Sequence, residues 1–317
     1  KDQPGIFMIE LIDQIPAKGE VMSLTCAFLW AISVIFFRKA GEKIPPFTLN
    51  FFKNVIVLVL FLPTAFFLDL LSLPSISNRD WLVLITSGFI GICLADFLFF
   101  KALNLLGAGR NAIVGCSYGL FVILFSFLML GEEPGWYHFA GAGLIVTGIV
   151  LASVGAGHGS VVASHKSLFN GIALGLLAMA FTAIAVLLVK PLMAEGGTAI
   201  PVVQVALFRL VAGLTGAALI LGVGGRLRGT FAVLRKDFPW VPFFAASFIG
   251  GYLAMFIWLA GYKYADASTA GVLNQTSTLF TVLLAAVFLK ERLTLKKCLG
   301  ALVAFSGVAM IFLLAPK

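Results

Sequence analysis

Residues 81–103 read WLVLITSGFIGICLADFLFFKAL, and residues 240–262 read WVPFFAASFIGGYLAMFIWLAGY. Each run is long enough, at 1.5 Å per helical residue, to cross roughly 30 Å of hydrocarbon. Laid over one another at an offset of 159, they align without a gap: Trp81 meets Trp240, and Phe89-Ile90-Gly91 meets Phe248-Ile249-Gly250. Leu94-Ala95 then meets Leu253-Ala254, and Phe97 meets Phe256. The register holds through residues 150 and 309, matching Glu132 with Glu291, Gly141-Ala142 with Gly300-Ala301, and Gly148 with Gly307. Leucine and alanine identities mean little between apolar helices. Matched Trp, Gly and Glu positions carry the weight, and the chain reads as an internal duplication.

Upstream the register shifts slightly. Pro45 pairs with Pro201 and Phe52-Lys53 with Phe208-Arg209 at an offset of 156, while Arg38 pairs with Lys190 at 152. Apolar runs fall at about 21–40, 47–68, 81–103, 108–130, 135–154, 171–190, 201–222, 240–262, 267–289 and 296–314. Unpaired backbone groups cannot be left in lipid, so each run is expected to be helical. Five runs per copy is an odd number, and the second copy must enter the bilayer from the opposite side. The expected fold is an all-α membrane protein with ten transmembrane helices arranged as two inverted-topology five-helix repeats. The expected divisions are a leader over 1–20, units at 21–154 and 171–314, and a Gly/Ser-rich linker over 155–170. Within the leader, Ile6, Phe7, Leu11 and Ile15 fall near one helical face, which reads equally as an interfacial helix or as a disordered leader.

Composition agrees. Hydrophobic residues are 61% of the chain, charged residues 11%, and the mean hydropathy is +1.06. A soluble domain carries about 25% charged residues, so water does not surround this fold. The net charge of +8 comes from basic residues lying mostly between apolar runs, which suits lipid headgroups and not nucleic acid. Cys26, Cys93, Cys116 and Cys298 are scattered without zinc or redox spacing. No nucleophile–base pair or metal-ligand cluster is apparent, and GVGGR (222–226) lacks the Lys-Ser/Thr of a phosphate loop. The sequence predicts no cofactor, no metal and no enzymatic activity.

Polar side chains inside apolar runs are few. A charge at a helix centre costs about 2.5–3.5 kcal/mol on insertion scales, so intramembrane charge points to function or to a paired structural role. Asn50, Lys53 and Asn54 follow i, i+3, i+4 spacing and share one face. Gln204 and Arg209 lie on the matching run of the second copy. Asp96 is the acid of the third run, and its counterpart is Met255. It can pair with a base, bind a cationic group or couple transport to protons. The segment AGVLNQTSTLFT (270–281) places Asn274 and Thr278 on one stripe with Gln275 beside it, and Asn111 and Tyr118 answer from the fourth run. Trp30, Tyr252 and Trp258 offer an aromatic wall. These residues form the candidate solute pathway, read against the alternatives of snorkelling, helix glue and core packing.

The ending FLMLGEEPGWYHFAGAGLIVTGIVLA and its partner VFLKERLTLKKCLGALVAFSGVAMIFL resemble the ends of EamA-type units in the drug/metabolite transporter superfamily. PPFTLNFFKNVIVLVLFLP and PVVQVALFRLVAGL are similar to that family's second helix with its basic residue, and AFLWAISVIFF to its first. Two departures stand out: Lys53 replaces the more usual Arg, and Gly119 and Thr278 stand where many such units carry a helix-breaking Pro. The resemblance implies a ten-helix secondary transporter of metabolites, amino acids or drugs, often an exporter.

The expected function is therefore secondary transport of a small-molecule solute across an inner or plasma membrane, by alternating access, with membrane lipid around it. The rivals are a non-transporting membrane subunit or sensor, an integral membrane enzyme and a passive channel. Loop basic residues such as Arg235, Lys236, Lys296 and Lys297, taken alone, place the termini outside. The family resemblance implies cytoplasmic termini, and the two arguments disagree.

Overall fold

The computed structural model describes residues 17–41, 44–106, 111, 114–153, 165–194, 198–224, 227–234, 238–288 and 295–314. Most of the expected leader (1–16), residue 154 of the first unit, residues 155–164 of the linker, Arg226, Arg235, Lys236 and Glu291 lie outside the described residues. The helices are α1 (Lys18–Gly41), α2 (Pro46–Phe67), α3 (Asn78–Leu106), α4 (Ser117–Leu130), α5 (Trp136–Ser153) and α6 (His165–Met193). They continue with α7 (Val202–Val223), a short α8 (Leu227–Ala232), α9 (Trp240–Tyr264), α10 (Ala267–Asn274), α11 (Thr276–Phe288) and α12 (Leu295–Leu314). No strand occurs among the described residues. Six helices (α1, α2, α3, α6, α7 and α9) are long and apolar enough to cross a membrane, and α4 and Leu302–Ile311 are shorter apolar helices. The protein is a multi-pass membrane protein.

Local sequence explains the boundaries. Pro46 opens α2 at a position whose N–H needs no partner. Ser77 and Asp80 form a reciprocal capping box at the start of α3, with Ser77 Oγ accepting from Asp80 N–H at 3.2 Å. Gly131 closes α4 in the left-handed region at φ 67, where a side chain would be strained, and turns the chain so that Glu132 follows immediately.

Two helices are interrupted in matching places. Residues Phe89–Ala95 of α3 and Ser247–Ala254 of α9 are wound as π-helix. Both segments contain the FIG triplet whose alignment reveals the duplication. Polar side chains meet backbone carbonyls there: Asn50 Nδ2 donates to Ile92 O at 2.9 Å, and Ser33 Oγ donates to Ala246 O at 2.9 Å. A π-turn shifts helix register and leaves carbonyls poorly satisfied, which these donors repair.

Contacts between helix ends order the bundle. Glu132, just after α4, reaches the first residues of α10. Lys190, near the end of α6, donates to Tyr262 O at 2.9 Å and Ala265 O at 2.5 Å, at the end of α9. Gln204, at the start of α7, donates to Leu70 O at 3.1 Å and Ser72 O at 3.0 Å, just beyond α2. These ends therefore share one pole of the bundle, termed here the Glu132 end. The start of α4 and the ends of α1 and α3 lie at the other pole.

Candidate functional site

A cavity of about 260 Å³ lies in the middle of the bundle, among α1, α2, α3, α4, α6, α9, α10 and α11. Trp30, Lys53, Asp96, Tyr118, Trp258, Asn274, Gln275 and Thr278 line it, with Asn111 beyond Tyr118 on the same wall. The sequence-derived pathway residues thus meet from helices far apart in the chain. Four of the remaining five do different work, and the fifth is Arg209.

On α2 only Lys53 of the Asn50–Lys53–Asn54 face reaches the cavity. Its Nζ pairs with Asp96 Oδ2 at 2.5 Å and stands 5.7 Å from the centre of the Phe100 ring. Asn50 is turned to the π-segment of α3, and Asn54 Nδ2 donates to Asn50 Oδ1 at 2.9 Å. Both amides are buried between helices. Tyr252 gives its hydroxyl to a 2.6 Å bond with Thr64 Oγ1 and its ring to Phe61, 4.8 Å away between centroids. Gln204 serves as the tether at the Glu132 end already described. Asn50, Asn54, Gln204 and Tyr252 hold the walls in place and lie outside the cavity lining.

Arg209 is almost completely buried, at 2% exposure. Its guanidinium lies over the Trp258 ring at 5.7 Å from the centroid, behind that wall of the cavity. Nε and Nη1 have no hydrogen-bond partner among the described residues. Lys53 has a carboxylate in direct contact, whereas Arg209 feels the same Asp96 only from a distance. A buried charge without a contacting counter-ion is costly, so this difference between the halves matters energetically.

Gln275 marks the break between α10 and α11, as a turn with φ −66 and ψ −22. Neither polar atom of its buried amide has a partner among the described residues. Gly119 of α4 makes room for it, since a Cβ there would collide with Gln275 Nε2. The helix break therefore falls one turn before Thr278, without a proline, and Gly119 answers it across the helix interface.

Bonds join α4–α5 to α9–α10 from the cavity wall at Tyr118 toward the Glu132 end. Tyr118 and Tyr262 share a 2.5 Å hydroxyl contact, and Ser126 Oγ meets Ser268 Oγ at 2.8 Å. Glu132 accepts from Ala267 N–H at 2.9 Å, from Ser268 N–H at 3.2 Å and from Ser268 Oγ at 3.2 Å, while Lys190 Nζ stands 3.8 Å from its Oε1. His138 Nε2 meets Thr269 Oγ1 at 2.9 Å. A carboxylate at a helix N-terminus satisfies orphan N–H groups and complements the helix dipole. Sequence reasoning singles out Glu132 but misses Ser126, His138, Tyr262 and Ser268. Their role depends on which helices become neighbours. Among the described residues no cluster of His, Cys, Asp or Glu could hold a metal.

Comparison with known proteins gives a consistent picture. A family model described as "EamA-like transporter family" matches residues 17–154 and again 169–313. An "Uncharacterized transporter" of Archaeoglobus fulgidus is 26% identical over 295 residues, covering 92% of this chain and 97% of that protein. A "Probable terminal-alkyne amino-acid exporter" of Streptantibioticus cattleyicolor is 35% identical over 98 residues, covering 31% of this chain and 32% of that protein. A crystal structure of a protein 20% identical superposes with a TM-score of 0.73 over 95% of this chain and 98% of that one, a likeness of fold.

Proposed function

Because the chain belongs to the EamA-like transporter family, we propose that it is a secondary active transporter moving a small metabolite across the cell membrane by alternating access. In this reading α10 and α11 act as one broken span. The helices then make ten spans in two units, α1–α5 and α6–α12, inserted in opposite directions around the cavity, with α8 as a surface segment. The helix-end contacts support the inversion: the end of α6 lies at the Glu132 end, whereas the end of α1, its counterpart, lies at the other pole.

The observation that carries the proposal is a mid-bundle cavity walled by an ion pair and aromatic rings, with bonds across the two units on its Glu132 side. A carrier needs a central site that is closed on one side at a time. The volume of about 260 Å³ lies just under the 300–1,000 Å³ of sites for drug-sized ligands, which favours a solute of amino-acid or organic-acid size. The relative named as an amino-acid exporter is in keeping with that size class. Proton coupling would act through Asp96, the acid in the cavity wall.

The test is flux into proteoliposomes loaded with the purified chain, over labelled amino acids and small organic acids. Saturable uptake that is accelerated by the same solute on the opposite side is expected. Flux that rises linearly without saturation would make the protein a channel, and none with any solute would favour a non-transporting subunit.

A further inference from the structure

We propose that Arg209 is an anion subsite of the transport cavity, and that its counter-ion is a carboxylate carried by the solute. The proposal rests on the transport reading above and narrows it to one chemistry.

Both halves place a base at the same point of their second helix, and each base lies against the π-segment of the other half. Lys53 Cγ would be 3.8 Å from a Cβ on Gly251, and Arg209 Nη2 would be 3.2 Å from a Cβ on Gly91. In the first half the residue directly after the π-segment is Asp96, which pairs with Lys53. In the second half that residue is Met255. Duplication has kept the cation and its pocket while the carboxylate is present in one copy alone.

Arg209 is left between Gly91 and the Trp258 ring, with Nε and Nη1 unpartnered among the described residues and 2% of the residue exposed. Asp96 is already engaged 2.5 Å from Lys53. Met255 and Trp258 both line the cavity, so the position that lacks its acid faces the space the solute enters. A guanidinium presents parallel N–H donors that match a carboxylate in two-point contact. A solute carboxylate at the Met255 wall, with the Trp258 ring turned aside, completes in the second half the pair that the first half supplies itself.

The experiment measures binding to the full chain in lipid nanodiscs with four five-carbon probes: L-norvaline, pentanoate, pentanamide and pentylamine. Norvaline or pentanoate is expected to bind at least about tenfold tighter than the amide and the amine, because only they bring the missing charge. Norvaline without pentanoate identifies an amino acid as the source of the carboxylate, and the reverse identifies an organic acid. Arg209→Gln is expected to lose about tenfold or more in affinity for the bound carboxylate. Met255→Asp supplies an internal acid and is expected to bind the carboxylate at least about fivefold more weakly than Met255→Asn, which matches it in size and carries no charge. Carboxylate binding by Met255→Asp as tight as by Met255→Asn, or equal binding of pentanamide, overturns the inference and leaves transport standing. A parent chain that binds none of the four overturns it too; absence of flux with every solute of the wider set then removes the transport reading itself.

Discussion

In the first half a lysine is buried against an aspartate; in the second an arginine is buried against a tryptophan, with a methionine where the aspartate would be. Around both bases the backbone is alike: a helix entered through proline, a π-segment in the facing helix, and a glycine where the base lies close. Backbone geometry has outlived the duplication because each half needs it to bring helices together. Side-chain charge has diverged, as the transport proposal expects of groups that act on a cavity occupant.

Asp96→Asn erases the difference and gives the largest expected effect. Lys53 would be left buried, at 3% exposure, opposite a neutral amide. Breaking a buried pair from one side costs about 3–5 kcal/mol, and partial exposure of Asp96 places this case near about 3. A clear fall in Tm of the purified protein is expected, with any proton-driven uptake lost and exchange retained. Removing both charges together, as Lys53→Met with Asp96→Leu, should restore most of the Tm. A single variant that melts with the parent would show that the pair does not hold Lys53 in place.

Where the halves are equal, equal losses are expected. Gly148 and Gly307 occupy corresponding positions on α5 and α12, and the two helices cross there nearly in contact. A Cβ on Gly148 would stand 2.6 Å from Ala304 N, and one on Gly307 would stand 2.6 Å from Gly141 O. Backbone cannot yield as a side chain can, so Gly148→Ala and Gly307→Ala should each cost about 1–3 kcal/mol. Thermal melts should show the two variants within error of each other and solute affinity unchanged. A large inequality between them would mean that the symmetry fails even in the scaffold.

The duplication and the apolar runs were legible in the sequence because hydropathy and rare Trp, Gly and Glu matches survive without knowledge of neighbours. Lys53, Asp96 and Trp258 were legible as cavity residues because charge and aromatic bulk in a lipid-facing run demand a partner. Asn50 and Asn54 were not distinguished from Lys53, since periodicity reports a shared face and is silent on what that face meets. It meets the carbonyl of Ile92, released by a π-turn whose FIG triplet is as compatible with α-helix. The break at Gln275 was likewise hidden: no proline marks it, and it depends on Gly119 across the interface.

The smallest effect is expected at the Glu132 end, where a charge again faces the other half. Glu132→Gln keeps the shape of the side chain and one acceptor oxygen for the α10 N–H groups, but removes the charge that draws Lys190 and the helix dipole. The loss should be about 1 kcal/mol, too little to unfold the bundle and enough to favour the state open at that end about fivefold. The readout is a cysteine placed at Thr278 in the cavity wall, exposed to a membrane-impermeant maleimide from each side in turn. Labelling from the Glu132 end should rise several-fold in Glu132→Gln, while labelling from the opposite end falls. Because alternating access, as proposed, opens one end while the other closes, a rise on both sides together would point to loosened packing, and the Glu132 contacts would then be a cap on α10 and no part of a transport cycle.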